Sequence, residues 1–171
     1  MLLTKQQKYL LEVLERIGCA EQRQLAALLQ KAFAFSSLDD AMRVTNACVQ
    51  QMRSGGLLQI SEDGIVYVCD YVNSEMINAT AVMLELSAAQ PPEDFCAVGG
   101  HILLQFSLGE PGFKQFAIVS GSAPPPEHEL RQEETIIALL PNGAKPELSY
   151  ARPIIFAIRQ EDGTHRFFAR K

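Results

Sequence analysis

Leu57-Leu58-Gln59-Ile60-Ser61-Glu62-Asp63-Gly64-Ile65-Val66-Tyr67-Val68 is the stretch on which the fold turns. Upstream of it, apolar residues recur with the helical period. Within it, the period drops to that of a strand. Leu57–Ile60 and Ile65–Val68 therefore read as two short strands. The Ser61-Glu62-Asp63-Gly64 segment between them carries an Asp-Gly pair, which accepts the positive φ values of a tight hairpin turn.

Working back from the hairpin, Gly55-Gly56 closes a helix that starts near Leu38. Ser36 or Ser37 is a fitting N-cap, and Asp39 and Asp40 lie in the first turn, where the helix dipole favours acids. Leu38, Met42, Thr45, Val49 and Met52 mark its buried face, with Cys48 beside it. An earlier helix runs from about Glu21 to Lys31, with Leu25, Leu28, Leu29 and Ala32 inward and Gln22, Arg23, Gln24 and Gln30 toward water. A first helix begins at Thr4, where Thr4-Lys5-Gln6-Gln7 reads as a capping box. Tyr9, Leu10, Val13, Leu14 and Ile17 form its stripe, and Gly18 ends it. Three helices followed by a hairpin is the order of a winged helix-turn-helix.

Beyond the hairpin, Asn73 caps a fourth helix of about 74–88, which Gln90-Pro91-Pro92 ends. The rest is strand-rich, with expected strands at Ala97–Phe106, Lys114–Ser120, Thr135–Leu140, Pro153–Arg159 and Arg166–Ala169. Gly109-Glu110-Pro111-Gly112, Asn142-Gly143 and Glu161-Asp162-Gly163 supply turns. Glu127–Glu134 reads as a short helix. The expected class is α+β, arranged as a winged helix-turn-helix over 1–70, a connecting helix over 71–90 and a small mixed β-sheet domain over 91–171.

The 171 residues are 47% hydrophobic and 20% charged, which argues against global disorder. Net charge is -5. Residues 1–70 hold seven Lys/Arg against eight Asp/Glu, and the remainder eight against twelve. Neither half has the basic excess that drives non-specific polyanion binding. Cys19, Cys48, Cys69 and Cys96 form no CxxC pair. They read as buried free thiols of a reducing compartment, against a structural disulfide or a metal site. Met1-Leu2-Leu3-Thr4-Lys5 lacks the apolar core of a secretion signal, and no stretch has the roughly 20 apolar residues of a membrane span. The expected location is cytoplasmic.

In a helix-turn-helix, the helix before the wing enters the major groove. The outer face of that helix offers Arg43, Asn46, Gln50 and Arg53, with Ala47 among them. Arg grips guanine or phosphate, and Asn and Gln pair with adenine. Two readings of this face stand: contact with double-stranded DNA, or a solvated polar face on a module used for protein contact or self-association. Asp39, Asp40, Glu62 and Asp63 favour the second, because they repel phosphate. His101, His128 and His165 share no metal-ligand spacing. Ser120-Gly121-Ser122 lacks the lysine and glycine spacing of a phosphate loop. Val98-Gly99-Gly100-His101 resembles a backbone oxyanion turn but has no nucleophile elbow. No cofactor, metal or catalytic residue is expected, and hydrolase activity in the second half is the remaining alternative.

In domain order, together with Leu3-Thr4-Lys5-Gln6-Gln7 and Gln24-Leu25-Ala26, the chain resembles the replication-relaxation family of plasmids and conjugative elements of Gram-positive bacteria. The resemblance implies an accessory DNA-binding role in replication, transfer or regulation. It also implies a second half similar to a restriction-endonuclease core, in which an Asp precedes one strand and a Glu-x-Lys pair lies on the next. This sequence departs from that pattern. Leu140-Pro141-Asn142-Gly143 has Asn in place of Asp, and Ile154–Arg159 holds no acid-Lys pair. The resemblance then implies a degenerate, non-catalytic core, either an inactive relic or an interaction surface.

Overall fold

The computed structural model describes residues 2–89, 91–109, 114–144 and 150–170. The protein is α+β: among these residues it has four α-helices, a three-stranded antiparallel sheet and a six-stranded mixed sheet. It divides into two compact units, Met1–Ile77 and Asn78–Lys171. The expected turn at 109–112 falls largely outside the described residues, as does Gln90 at the expected helix end.

In the first unit, α1 (Lys5–Ile17) starts with a reciprocal cap. Thr4 Oγ1 accepts from Gln7 N at 3.2 Å, and Thr4 N donates to Gln7 Oε1 at 2.9 Å. Gly18 takes φ +79° and its N–H closes onto Leu14 O. The chain then forms β1 (Cys19–Glu21), α2 (Gln22–Phe33), α3 (Leu38–Ser54), β2 (Gln59–Ile60) and β3 (Ile65–Tyr67). Strand β1, which the sequence reading passes over, pairs antiparallel with β3, and β2 pairs with the other side of β3, giving the order β1-β3-β2. Leu10, Leu14, Leu25, Leu29, Val49 and Met52 are all fully buried. Ala32, expected inward, is exposed. Gln24, expected to face water, is buried. Its Oε1 accepts from Glu21 N at 3.0 Å and its Nε2 donates to Ile77 O at 2.7 Å, so both polar ends are satisfied inside.

Helix α4 (Ser74–Leu86) is capped by Asn73, whose Oδ1 accepts from Glu75 N and Met76 N. The second unit then runs β4 (Asp94–Gly99), β5 (Ile102–Leu108), β6 (Lys114–Ser120), a 3-10 turn (Glu127–Glu129), β7 (Glu134–Leu140), β8 (Ile154–Arg159) and β9 (His165–Arg170). The strands lie in chain order. β6, β7 and β8 are mutually parallel, and the flanking pairs are antiparallel. The expected single strand Ala97–Phe106 is two strands. Gly99 and Gly100 at φ +93° and +64° turn the chain, and Gly99 lies opposite Ile102. The expected helix Glu127–Glu134 shrinks to the 3-10 turn, because Glu134 already belongs to β7.

Both faces of the sheet are covered at its central strands, which accounts for the near-continuous apolar runs of β7 and β8. One face carries Ala117, Val119, Ile136, Ala138, Ile154 and Phe156 and is packed by Leu130 and Tyr150. Tyr150 donates to Pro125 O at 2.6 Å and ties down the crossing loops. On the other face, Phe106 and Phe116 stack at 4.7 Å. Glu85 of α4 lies 2.8 Å from His165 Nδ1 and accepts from His165 N at 3.1 Å. Cys19 and Cys48 are buried free thiols, as expected. Cys69 is half-buried and Cys96 is exposed, which corrects the expectation for those two. Cys96 sits on β4, an edge strand with one face open.

Candidate nucleic-acid interface

Helix α3 is built to present one face. Ser37 Oγ accepts from Asp40 N at 3.1 Å and starts the helix. Ala41, Thr45, Cys48, Val49 and Met52 are buried along its inner side. Arg43, Asn46, Gln50 and Arg53 step by three and four residues, so they share the opposite side, and all four are exposed. The structure therefore brings the four expected site residues together on one stripe. Among the described residues, the side chains of Asn46, Gln50 and Arg53 have no hydrogen-bond partner, which leaves their donors and acceptors available to an incoming group.

Arg43 differs from the other three. Its guanidinium lies 2.7 Å from Asp40 Oδ1. Asp40 Oδ2 also accepts from Ser36 and Ser37 hydroxyls, each at 2.9 Å. The Ser37 hydroxyl first, then Ser36 and the Arg43 charge, hold the Asp40 carboxyl below the ordinary carboxylate range. The first turn of α3 thus carries its own negative charge, which disfavours a phosphate there. The opposite end is open. Gln50, Gln51 and Ser54 border a shallow groove with Thr4 and Gln7 of the α1 start. Buried Gln7 fixes that border by donating from Nε2 to Gln51 Oε1 at 2.8 Å. The sequence reading missed this brace, since it joins residues of two separate helices.

No family model, curated protein or solved structure matches the chain. The β2–β3 turn stands beside α3 in chain order and is rigidly made: Ile65 N donates to Ser61 Oγ at 3.1 Å and Gly64 N to Ser61 O at 3.0 Å. Tyr67 Oη donates to Gln59 Oε1 at 2.9 Å across the hairpin. Its tip, Glu62 and Asp63, is exposed and acidic. The stripe on α3 can make bidentate hydrogen bonds, while the charge near its N-terminal end and at the hairpin tip limits phosphate contacts.

The histidines do not converge: His101 and His128 are exposed and His165 is buried against Glu85. Among the described residues, no three His, Cys, Asp or Glu side chains are grouped to hold a metal. Ser120 and Ser122 hydroxyls lie 3.0 Å apart at the end of β6, so the Ser-Gly-Ser segment is a strand end. Among the described residues, no helix is long and apolar enough to cross a membrane.

Proposed function

We propose that the first unit is a winged helix-turn-helix that contacts double-stranded DNA through the exposed stripe of α3, and that the chain is a non-catalytic accessory DNA-binding protein. The observation that carries this reading is the stripe itself: Asn46, Gln50 and Arg53, unpartnered among the described residues, next to Arg43 on one exposed helix face. The strand order β1-β3-β2, closing on a helix pair and ending in a hairpin, supports α3 as the groove-entering helix. The resemblance to the replication-relaxation family supports a role in the replication, transfer or regulation of a mobile element, with a cytoplasmic location to match.

A second reading has its own support. The Asp40–Arg43 pair and the acidic hairpin tip suit a protein partner better than a phosphate backbone. It keeps the winged helix as a protein-contact module.

One titration separates the two. Wild type and the Arg43→Ala/Arg53→Ala variant are titrated with duplex DNA from the gene's own neighbourhood. The expected loss for the variant is about 1–3 kcal/mol of discrimination per bidentate base contact removed. Folding should be intact, since exposed changes shift stability by less than about 0.5 kcal/mol. Equal binding by both proteins would remove α3 from the argument. Absence of binding by either would transfer the assignment to the protein-contact reading.

A further inference from the structure

A polar row crosses one end of the second unit's sheet. Asp94, Ser107, Gln115 and Glu134 lie directly opposite one another on β4, β5, β6 and β7. Cys96 and Gln105 occupy the next row, on the same face because side chains alternate along a strand. Farther along, that face is apolar, carrying Ala117, Val119, Ile136 and Ala138. The row lines a cavity of about 140 Å³. A polar row is costly at the end of a core face unless something meets its hydrogen-bonding needs.

Two of those needs are open. Glu134 is only 6% exposed, and its carboxylate is held by neutral donors: Gln105 Nε2 at 2.6 Å and the Arg131 backbone N–H at 3.1 Å. No cation pairs with it among the described residues. Each of its oxygens keeps a further lone pair. Ser107 is 8% exposed, on the same face and lining the same cavity, and its hydroxyl has no partner among the described residues.

The geometry points to a binding site for a small organic cation, a primary ammonium or guanidinium head group, that sets its charge on Glu134 and its N–H groups on Ser107 and Gln115. Such a group supplies both missing elements: a positive charge to compensate a buried carboxylate, and donors for unfilled lone pairs. The pocket, at about 140 Å³, has room for a compact head group beside Glu134 and Ser107. The Arg131 side chain, exposed at the rim, disfavours a second positive group beyond the head. This site is independent of the α3 stripe, and neither depends on the other.

The test uses the full chain with methylguanidine and ethylammonium as probes, acetamide as the neutral control and magnesium ion as the inorganic control. Amide resonances of Gln105, Ser107 and Glu134 report occupancy. Alkylation of exposed Cys96 by iodoacetamide, mapped by mass, is the second readout, with half-buried Cys69 as the internal reference. Saturable shifts with either organic cation are expected, together with protection of Cys96 and not of Cys69. Glu134→Gln should weaken binding by about tenfold or more, the scale of a charge-assisted hydrogen bond. Ser107→Ala, which removes only the free hydroxyl, should weaken it measurably in a chain that stays folded. The proposal is overturned if neither cation saturates, if acetamide or magnesium alone gives the same response, or if Ser107→Ala binds as wild type does.

Discussion

Gln24 carries more structural weight than its place in a Gln-rich helix start suggests. Its amide satisfies Glu21 N at one end and Ile77 O at the other, so it caps α2 and ties it to the start of α4. Truncation to Ala removes both hydrogen bonds, one of them buried, together with the packing of the buried side chain. Gln24→Ala should therefore cost about 1–3 kcal/mol in urea unfolding. A change below about 0.5 kcal/mol, typical of a surface position, would contradict the buried role. The Arg43 and Arg53 pair shows the converse. Both are exposed, but Arg43 is already engaged by Asp40. In the DNA titration, Arg53→Ala alone is expected to carry the larger part of the double variant's loss. Reversal of that order would mean that Asp40 releases Arg43 on binding.

Among the elements, the junction between α1 and β1 is held by a backbone conformation that only glycine adopts readily. Gly18 takes φ +79° and ψ -47°, and a Cβ there would lie 3.3 Å from Cys69 Sγ. Gly18→Ala should destabilise the protein by about 1–3 kcal/mol through backbone strain, visible as a lower denaturation midpoint at unchanged slope. Strand β1 itself was not legible in the sequence. Cys19-Ala20-Glu21 is three residues long, lies between two helices and shows no alternation, and only its pairing with β3 makes it a strand. The β2–β3 hairpin was legible because Asp63-Gly64 is a local turn signal. The β4–β5 hairpin was not, because Gly99-Gly100 interrupts an apolar run that reads equally well as one longer strand. The stripe on α3 could be read from helical spacing alone. The polar row of Asp94, Ser107, Gln115 and Glu134 could not, since it exists only through the register of four strands.

At the scale of the whole molecule, net charge sets the character of any DNA contact. At -5, with acids beside the stripe, the protein can neutralise few phosphates. The logarithm of the binding constant should fall with the logarithm of salt at a slope of about -1 to -3, at roughly 0.9 per phosphate neutralised. A slope near -6 or steeper would require a basic surface other than α3. The parallel pairing of β7 on both sides has a consequence of another kind, for the order in which the chain acquires its structure. Its neighbours are reached by crossover: Gln115 meets Glu134, and Ile136 meets Ile154. The β4–β5 and β8–β9 hairpins need only short closures and form on a scale of about 1–10 μs, whereas β7 must wait for two longer loops to close. During that wait Ile136, Ile137 and Leu139 stay open to other chains, which makes β7 the point at which refolding and self-association compete. Ile137→Val, a change worth about 0.5–1.5 kcal/mol, should appear mainly as faster unfolding with the refolding rate hardly altered. If it slowed refolding instead, β7 would belong to the nucleus, and the hairpins would assemble around it.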